Sequence, residues 1–109
     1  MAKGDFIGEF EVLVLAALRR LEDDAYAVTI KRDIEQRARR PASLGAIHAA
    51  LNRLADKGFL VFRISDPLPV RGGRSRKYSR ITPAGVRALR QSTTSLARMI
   101  EGLELRVPR

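Results

Sequence analysis

Two stretches of this 109-residue chain carry side chains suited to bonding a polyanion. Residues 71–85 read RGGRSRKYSRITPAG, with five Arg or Lys among the first ten positions and no acid anywhere. Gly72 and Gly73 permit a tight turn and a close approach of backbone to phosphate. Arg71, Arg74, Arg76 and Lys77 would supply charge at the rim of a groove, where guanidinium groups hydrogen-bond phosphates or enter a narrow minor groove. The second stretch, residues 43–53, reads SLGAIHAALNR. Ser43 and the first amides of a helix starting there can hold a phosphate. Gly45, Ala46 and Ala49 are small enough to let a backbone sit close to a groove floor. His48, Asn52 and Arg53 can reach bases or phosphates, with Asn to adenine and Arg to guanine the favoured pairings. Taken residue by residue, a solvated hairpin and an ordinary helix surface account for the same letters. Only their arrangement decides between the readings.

The elements that must position these stretches follow from pattern and punctuation. Residues 6–21, FIGEFEVLVLAALRRL, predict a first helix that is apolar on nearly every side, which asks for cover on every side, part of it from a partner subunit. Asp23, Asp24 and Ala25 interrupt the pattern, and residues 26–38 support a second helix with Ile30 and Ile34 one turn apart. After the break at Arg39-Arg40-Pro41-Ala42, Ser43 is an N-cap for a third helix and Gly58 its natural stop. Leu44, Ile47, Leu51 and Leu54 form the expected inward stripe of that helix, which leaves Gly45, His48, Ala49, Asn52 and Arg53 outward. Two short helices joined by a tight turn outline a helix-turn-helix.

Leu60 to Ile64 is rich in β-formers, with Leu60, Phe62 and Ile64 on one face. Lys77 to Ile81 reads as the returning strand, its inward face left open because Tyr78 and Ile81 are an odd number apart. Thr82-Pro83 starts a last helix, Thr as cap and Pro at the first helical position. Its stripe runs Val86, Leu89, Thr93, Leu96, Ile100, Leu103, Val107, with steps alternating three and four. That is the seam of helices packed lengthwise, and it predicts a dimerisation helix. Phe6, Phe10, Leu89, Leu96, Ile100 and Leu103 are the expected dimer contacts. The alternative is packing of this helix on the chain's own first helix.

The fold class expected is therefore mainly α with a small two-stranded β-wing: a winged helix-turn-helix over residues 1–82, including the N-terminal helix, and a C-terminal dimerisation helix over 83–109, the whole forming one compact domain. In that frame Arg71-Gly72-Gly73-Arg74 is the wing tip.

Composition bounds the rest. Net charge is +9, and it is unevenly placed. Residues 1–30 hold three Lys or Arg against six Asp or Glu, while the remainder holds 18 against six. A basic face of this kind attracts nucleic acid first and anionic membrane second. The longest apolar run, Val12 to Leu18, is far below the ~18 residues of a membrane span. Cysteine is absent, so no disulfide or thiolate metal site is possible. A cytoplasmic protein without membrane association or cofactor is expected. The single histidine, His48, has no second His or Cys to share a metal. Neither a phosphate-binding GK[ST] loop nor a serine-hydrolase motif occurs. Glu9, Glu11, Glu22, Asp23 and Asp24 read as a solvated face and helix-start charge rather than an acid–base pair. No enzyme is expected.

Three segments, GEFEVLVLAAL, AYAVTIKRDIEQRARRPASLGAIHAALNRLADKGFL and RGGRSRKYSRITPAG, resemble the PadR family of bacterial transcriptional regulators. The resemblance runs from about Gly8 to about Leu103. Where that family commonly carries an aromatic residue, usually Tyr, this chain has His48, and where it has a Tyr this chain has Ser79. The resemblance implies a homodimeric winged-helix protein, usually a repressor, that binds double-stranded DNA at a palindromic operator. It also implies a single C-terminal helix of the short-tailed kind. Small-molecule effectors are common in such proteins, and no residue of this chain points to one. The competing readings are a winged-helix adaptor without DNA binding and a basic RNA-binding protein.

Overall fold

A computed structural model describes residues 6–66 and 75–108. The expected wing-tip residues Arg71, Gly72 and Arg74 lie outside the described residues. The elements run α1 (Glu9–Leu21), a single 3-10 turn (Glu22–Asp24), α2 (Ala27–Arg37), α3 (Leu44–Asp56), β1 (Leu60–Ile64), β2 (Lys77–Ile81) and α4 (Pro83–Ile100). This is the winged helix-turn-helix order expected from the sequence.

Each helix start has a local cause. The Ser43 hydroxyl accepts from the Ala46 amide at 3.1 Å, and the Thr82 hydroxyl accepts from the Gly85 amide at 3.1 Å. At α1 the Glu11 carboxylate accepts from the Gly8 amide at 3.0 Å, and at α2 the Thr29 hydroxyl accepts from the Tyr26 amide at 3.0 Å. These bonds satisfy donors that a helix start leaves unpaired. α3 ends with Gly58 at φ 79°, its amide donating to Ala55 and the Phe59 amide to Leu54. This pair of bonds is a Schellman closure, which favours glycine at that position.

α1 runs through the middle of the molecule. Val14, Leu15, Ala17 and Leu18 are buried, joined in the core by Ile30, Ile34, Ile47, Ala50, Leu54 and Leu60. α2, α3, α4 and β2 all pack on α1. The cover expected from a partner subunit is thus largely supplied by the chain itself. Val12, Leu13 and Ala16 stay half-buried.

β1 and β2 pair antiparallel with Leu60 opposite Ile81, Phe62 opposite Ser79 and Ile64 opposite Lys77. Burial of Leu60 and Ser79 settles the inward face of β2 as Lys77, Ser79 and Ile81. The Ser79 amide donates to Ala25 at 2.8 Å, which ties the wing to the segment before α2.

α4 departs from expectation at its end. The helix stops at Ile100, and Gly102 at φ 81° turns the chain away, so Leu103 and Val107 lie beyond the helix rather than on its seam. Its first two turns are buried through Gly85 and Ala88 against the chain's own core. A Cβ on Gly85 would sit 2.1 Å from the Phe59 carbonyl oxygen and 2.7 Å from Ile81 Cγ1. Glycine is therefore required where α4 meets the sheet.

Candidate nucleic-acid interface

α3 buries Ile47, Ala50, Leu51 and Leu54. Leu44, expected on this inward stripe, is 42% exposed. It occupies the first helical position, beyond the edge of the core, and Ala50 takes its place on the buried side. Gly45, Ala46, His48, Ala49, Asn52 and Arg53 are all exposed. From Leu44 to Ala55 the helix carries no acid. Gly45 has open space around it, so nothing within the chain demands a glycine there.

The two flanks of this face differ. Toward the wing, His48 and Asn52 share a small cavity of about 20 Å³ with Phe62, Lys77 and Ser79. The structure thus brings the outward residues of α3 beside the first residue of β2. Lys77 is exposed, its ammonium 3.8 Å from the Phe62 ring centroid. Toward the α2–α3 turn, an open groove of about 550 Å³ is lined by Phe10, Arg40, Pro41, Ala42, Ser43, Ala46, Ala49 and Arg53. Arg40 lies over Phe10 at 5.7 Å and pairs with Glu9.

Arg53 is held by an acid inside the chain. Its Nε is 3.5 Å from Glu11 Oε2, and Lys57 Nζ is 3.8 Å from the same oxygen. Glu11 is buried, not on the solvated face read from the sequence. Two cations from α3 and its end compensate it, which a buried carboxylate needs. Arg53 keeps a side chain 55% exposed on the α3 surface.

The turn that aims α3 is clamped by a charged pair. Lys31 Nζ donates to Glu35 Oε2 at 2.6 Å and to the Ala42 carbonyl at 3.0 Å, while the Ala42 amide donates to Glu35 at 3.3 Å. The Lys31 hydrogen bond, then that of the Ala42 amide, holds the Glu35 carboxyl below the usual carboxylate range. Arg39 begins this turn at φ 54°.

At the wing root, Arg63 and Arg76 lie against the rings of Tyr78 and Tyr26. Tyr26, Arg40 and Arg63 were not singled out from the sequence. Arg39-Arg40 immediately before the Ser43 cap was the available signal for Arg40. The pairing of Tyr26 with the wing has no local signal, since the residues come from separate elements.

The expected dimer contacts divide into two groups. Phe10 and Leu89 are half-buried against the chain's own core. Phe6, Leu96, Ile100 and Leu103 are exposed, as is Met99 at 74%.

The sequence matches the transcriptional regulator PadR-like family over residues 14–91, most of the chain. The chain belongs to the PadR-like family of transcriptional regulators. Members are regulators of transcription, not enzymes, in keeping with the sequence reading. No curated protein matches the sequence. Among solved structures, a PadR family transcription regulator from hypervirulent Clostridium difficile is similar, with 24% identity and a TM-score of 0.70 over 86% of this chain and 92% of its own. A PadR family regulator from Eggerthella lenta has 25% identity and a TM-score of 0.69, over 86% of this chain and 81% of its own. Bacillus subtilis PadR, solved in complex with operator DNA, shares the fold at 18% identity and a TM-score of 0.64, over 87% of this chain and 61% of its own. No helix among the described residues is long and apolar enough to cross a membrane.

Proposed function

We propose that this PadR-like regulator binds double-stranded operator DNA as a homodimer and represses transcription by occluding a promoter. The observation that carries the reading is the exposed face of α3. It is free of acid, small at Gly45, Ala46 and Ala49, polar at His48 and Asn52, and bordered by Lys77 of the wing. A surface of that shape suits the major groove, where Asn52 can read a base edge and Ser43 a phosphate. Arg71, Gly72 and Arg74 would extend the contact along the backbone or minor groove. The operator complex of Bacillus subtilis PadR, a protein of the same fold, supports this mode of use. The apolar end of α4, with Leu96, Met99 and Ile100 exposed, supports pairing of two copies. A twofold assembly would read an inverted repeat with half-sites about 34 Å apart, or a multiple of that.

Electrophoretic shift and footprinting on the DNA upstream of the protein's own gene, across a salt series, test the proposal. A protected inverted repeat and affinity falling steeply with salt are expected. Asn52→Ala should cost about 1–3 kcal/mol at one base position and leave the salt dependence unchanged. Absence of any shift at low salt with every duplex would replace this reading with an adaptor. Equal binding of structured RNA without a protected repeat would point to an RNA-binding protein.

A further inference from the structure

Arg76 stands among the basic residues that the sequence aims at a phosphate, yet its surroundings are those of a joint. It is half-buried, whereas its neighbour Lys77 is exposed. Its guanidinium carbon lies 4.2 Å from the centroid of Tyr26, the residue that precedes the first turn of α2. Tyr26 meets Tyr78 of β2 edge to face, with centroids 5.5 Å apart and planes at 75°. Tyr78 carries Arg63 of β1 on its own ring at 4.6 Å. The result is a ladder, Arg63–Tyr78–Tyr26–Arg76, that crosses from the hairpin to the helix-turn-helix.

The backbone closes around the same point. The Arg76 amide donates to the Ser65 hydroxyl at 2.8 Å, and the Ser65 amide donates to the Arg76 carbonyl at 2.8 Å. Three residues on, the Ser79 amide bonds Ala25, next to Tyr26 in the chain.

We infer that Arg76 is a positioning residue, whose planar guanidinium fixes the wing root against the start of α2 instead of bonding phosphate. This rests on the DNA-binding reading for its consequence, but not for its geometry. The role needs a flat cation that can lie face to face on a ring, which the ammonium of lysine cannot do. A phosphate ligand, by contrast, tolerates lysine.

The test compares the wild-type chain with Arg76→Lys, Arg76→Ala, Tyr26→Ala and the Tyr26→Ala/Arg76→Ala double variant. The probe is a duplex recovered by selection from random-sequence DNA, and affinity is measured across salt. All variants are expected to lose about tenfold in affinity, the scale of a half-buried cation–π contact. The double variant should be no weaker than either single one. Tyr26→Ala, which removes no charge, should flatten the salt dependence as much as Arg76→Ala, because a displaced wing gives up its contacts. The inference is overturned if Arg76→Lys binds like wild type, and Tyr26→Ala keeps the wild-type slope while Arg76→Ala alone loses about one unit of it. A second measurement needs no DNA: amide exchange at Ser65 and Ser79 should quicken about tenfold in Arg76→Lys. Unchanged exchange there overturns the joint. If the wild type binds no duplex, the operator-binding reading fails and the exchange result alone decides the role of Arg76.

Discussion

α3 and α4 begin alike and finish differently. Each is started by a hydroxyl that accepts from the amide three residues on, Ser43 from Ala46 and Thr82 from Gly85. α3 then keeps one face buried from Ile47 to Leu54 and offers a small, polar, acid-free opposite face. α4 buries only its start, at Gly85 and Ala88, and carries exposed Leu96, Met99 and Ile100 at its end. The two exposed surfaces call for different partners. The first suits a hydrogen-bonding groove; the second leaves large apolar side chains in water, which favours association with another apolar surface. Glycine marks the contrast most sharply, since Gly85 faces the chain's own backbone and Gly45 faces open space.

The largest expected effect comes from Gly85. A Cβ at 2.1 Å from the Phe59 oxygen meets backbone, which cannot swing aside as a side chain can. Gly85→Ala should therefore cost at least about 1–3 kcal/mol, measured by denaturant unfolding, by forcing α4 away from the sheet. A midpoint unchanged from wild type would show that the helix start shifts freely and that the contact is not a packing constraint.

Charges on the far end of α4 come next. Leu96→Glu with Ile100→Glu alters side chains that are 62% and 46% exposed, so the fold should persist while association of two copies is lost. Sedimentation should then give half the wild-type mass, with DNA affinity falling along with it. A dimer that survives both substitutions would move the interface off this stripe.

Gly45→Ala separates folding from binding. Alanine is favoured over glycine in a helix interior by about 0.5–1 kcal/mol, and no atom of the chain lies within 4 Å of the new Cβ. Thermal stability should rise slightly while DNA affinity falls, because the added methyl meets the groove floor. A rise in both would remove the close approach of α3 from the docking scheme.

The order of elements was legible because punctuation residues act locally. Ser43, Gly58 and Thr82-Pro83 each do their work within a turn of their own position, and the helices begin and end where they stand. The outward set of α3 was legible for the same reason, apart from Leu44. That position shares the periodicity of Ile47 and Leu51, but periodicity says nothing about where the core ends. Glu11 was read rightly as helix-start charge, but its burial was missed because its compensation comes from Arg53 and Lys57, far along the chain. Arg76 looked like any other basic wing residue until Tyr26 was brought beneath it. At α4 the alternating steps pass through Gly102 into Leu103 and Val107, and the glycine outweighs the stripe. Local signals therefore recovered the scaffold and the direction of its side chains, whereas ion pairs and stacks between distant elements needed the fold itself.

The smallest expected effect concerns the turn that aims α3, and it is readable through pH. Glu35 accepts from Lys31 and from the Ala42 amide, and its carboxyl is held below the usual range, first by the Lys31 bond. A carboxylate whose folded pKa is depressed contributes stability above its unfolded pKa and loses it as pH falls through the folded value. The clamp should thus be complete at neutral pH and released below the ordinary carboxylate range. Glu35→Gln keeps an acceptor for the Ala42 amide but removes the charge facing Lys31. The thermal midpoint of wild type should exceed that of Glu35→Gln slightly at neutral pH, because the pair is partly exposed and screened. The gap should close in acid, where both side chains are neutral. A gap that stays constant through that range would mean that Glu35 acts by shape alone. The angle of α3 would then rest on the hydrogen bond between Lys31 and the Ala42 carbonyl.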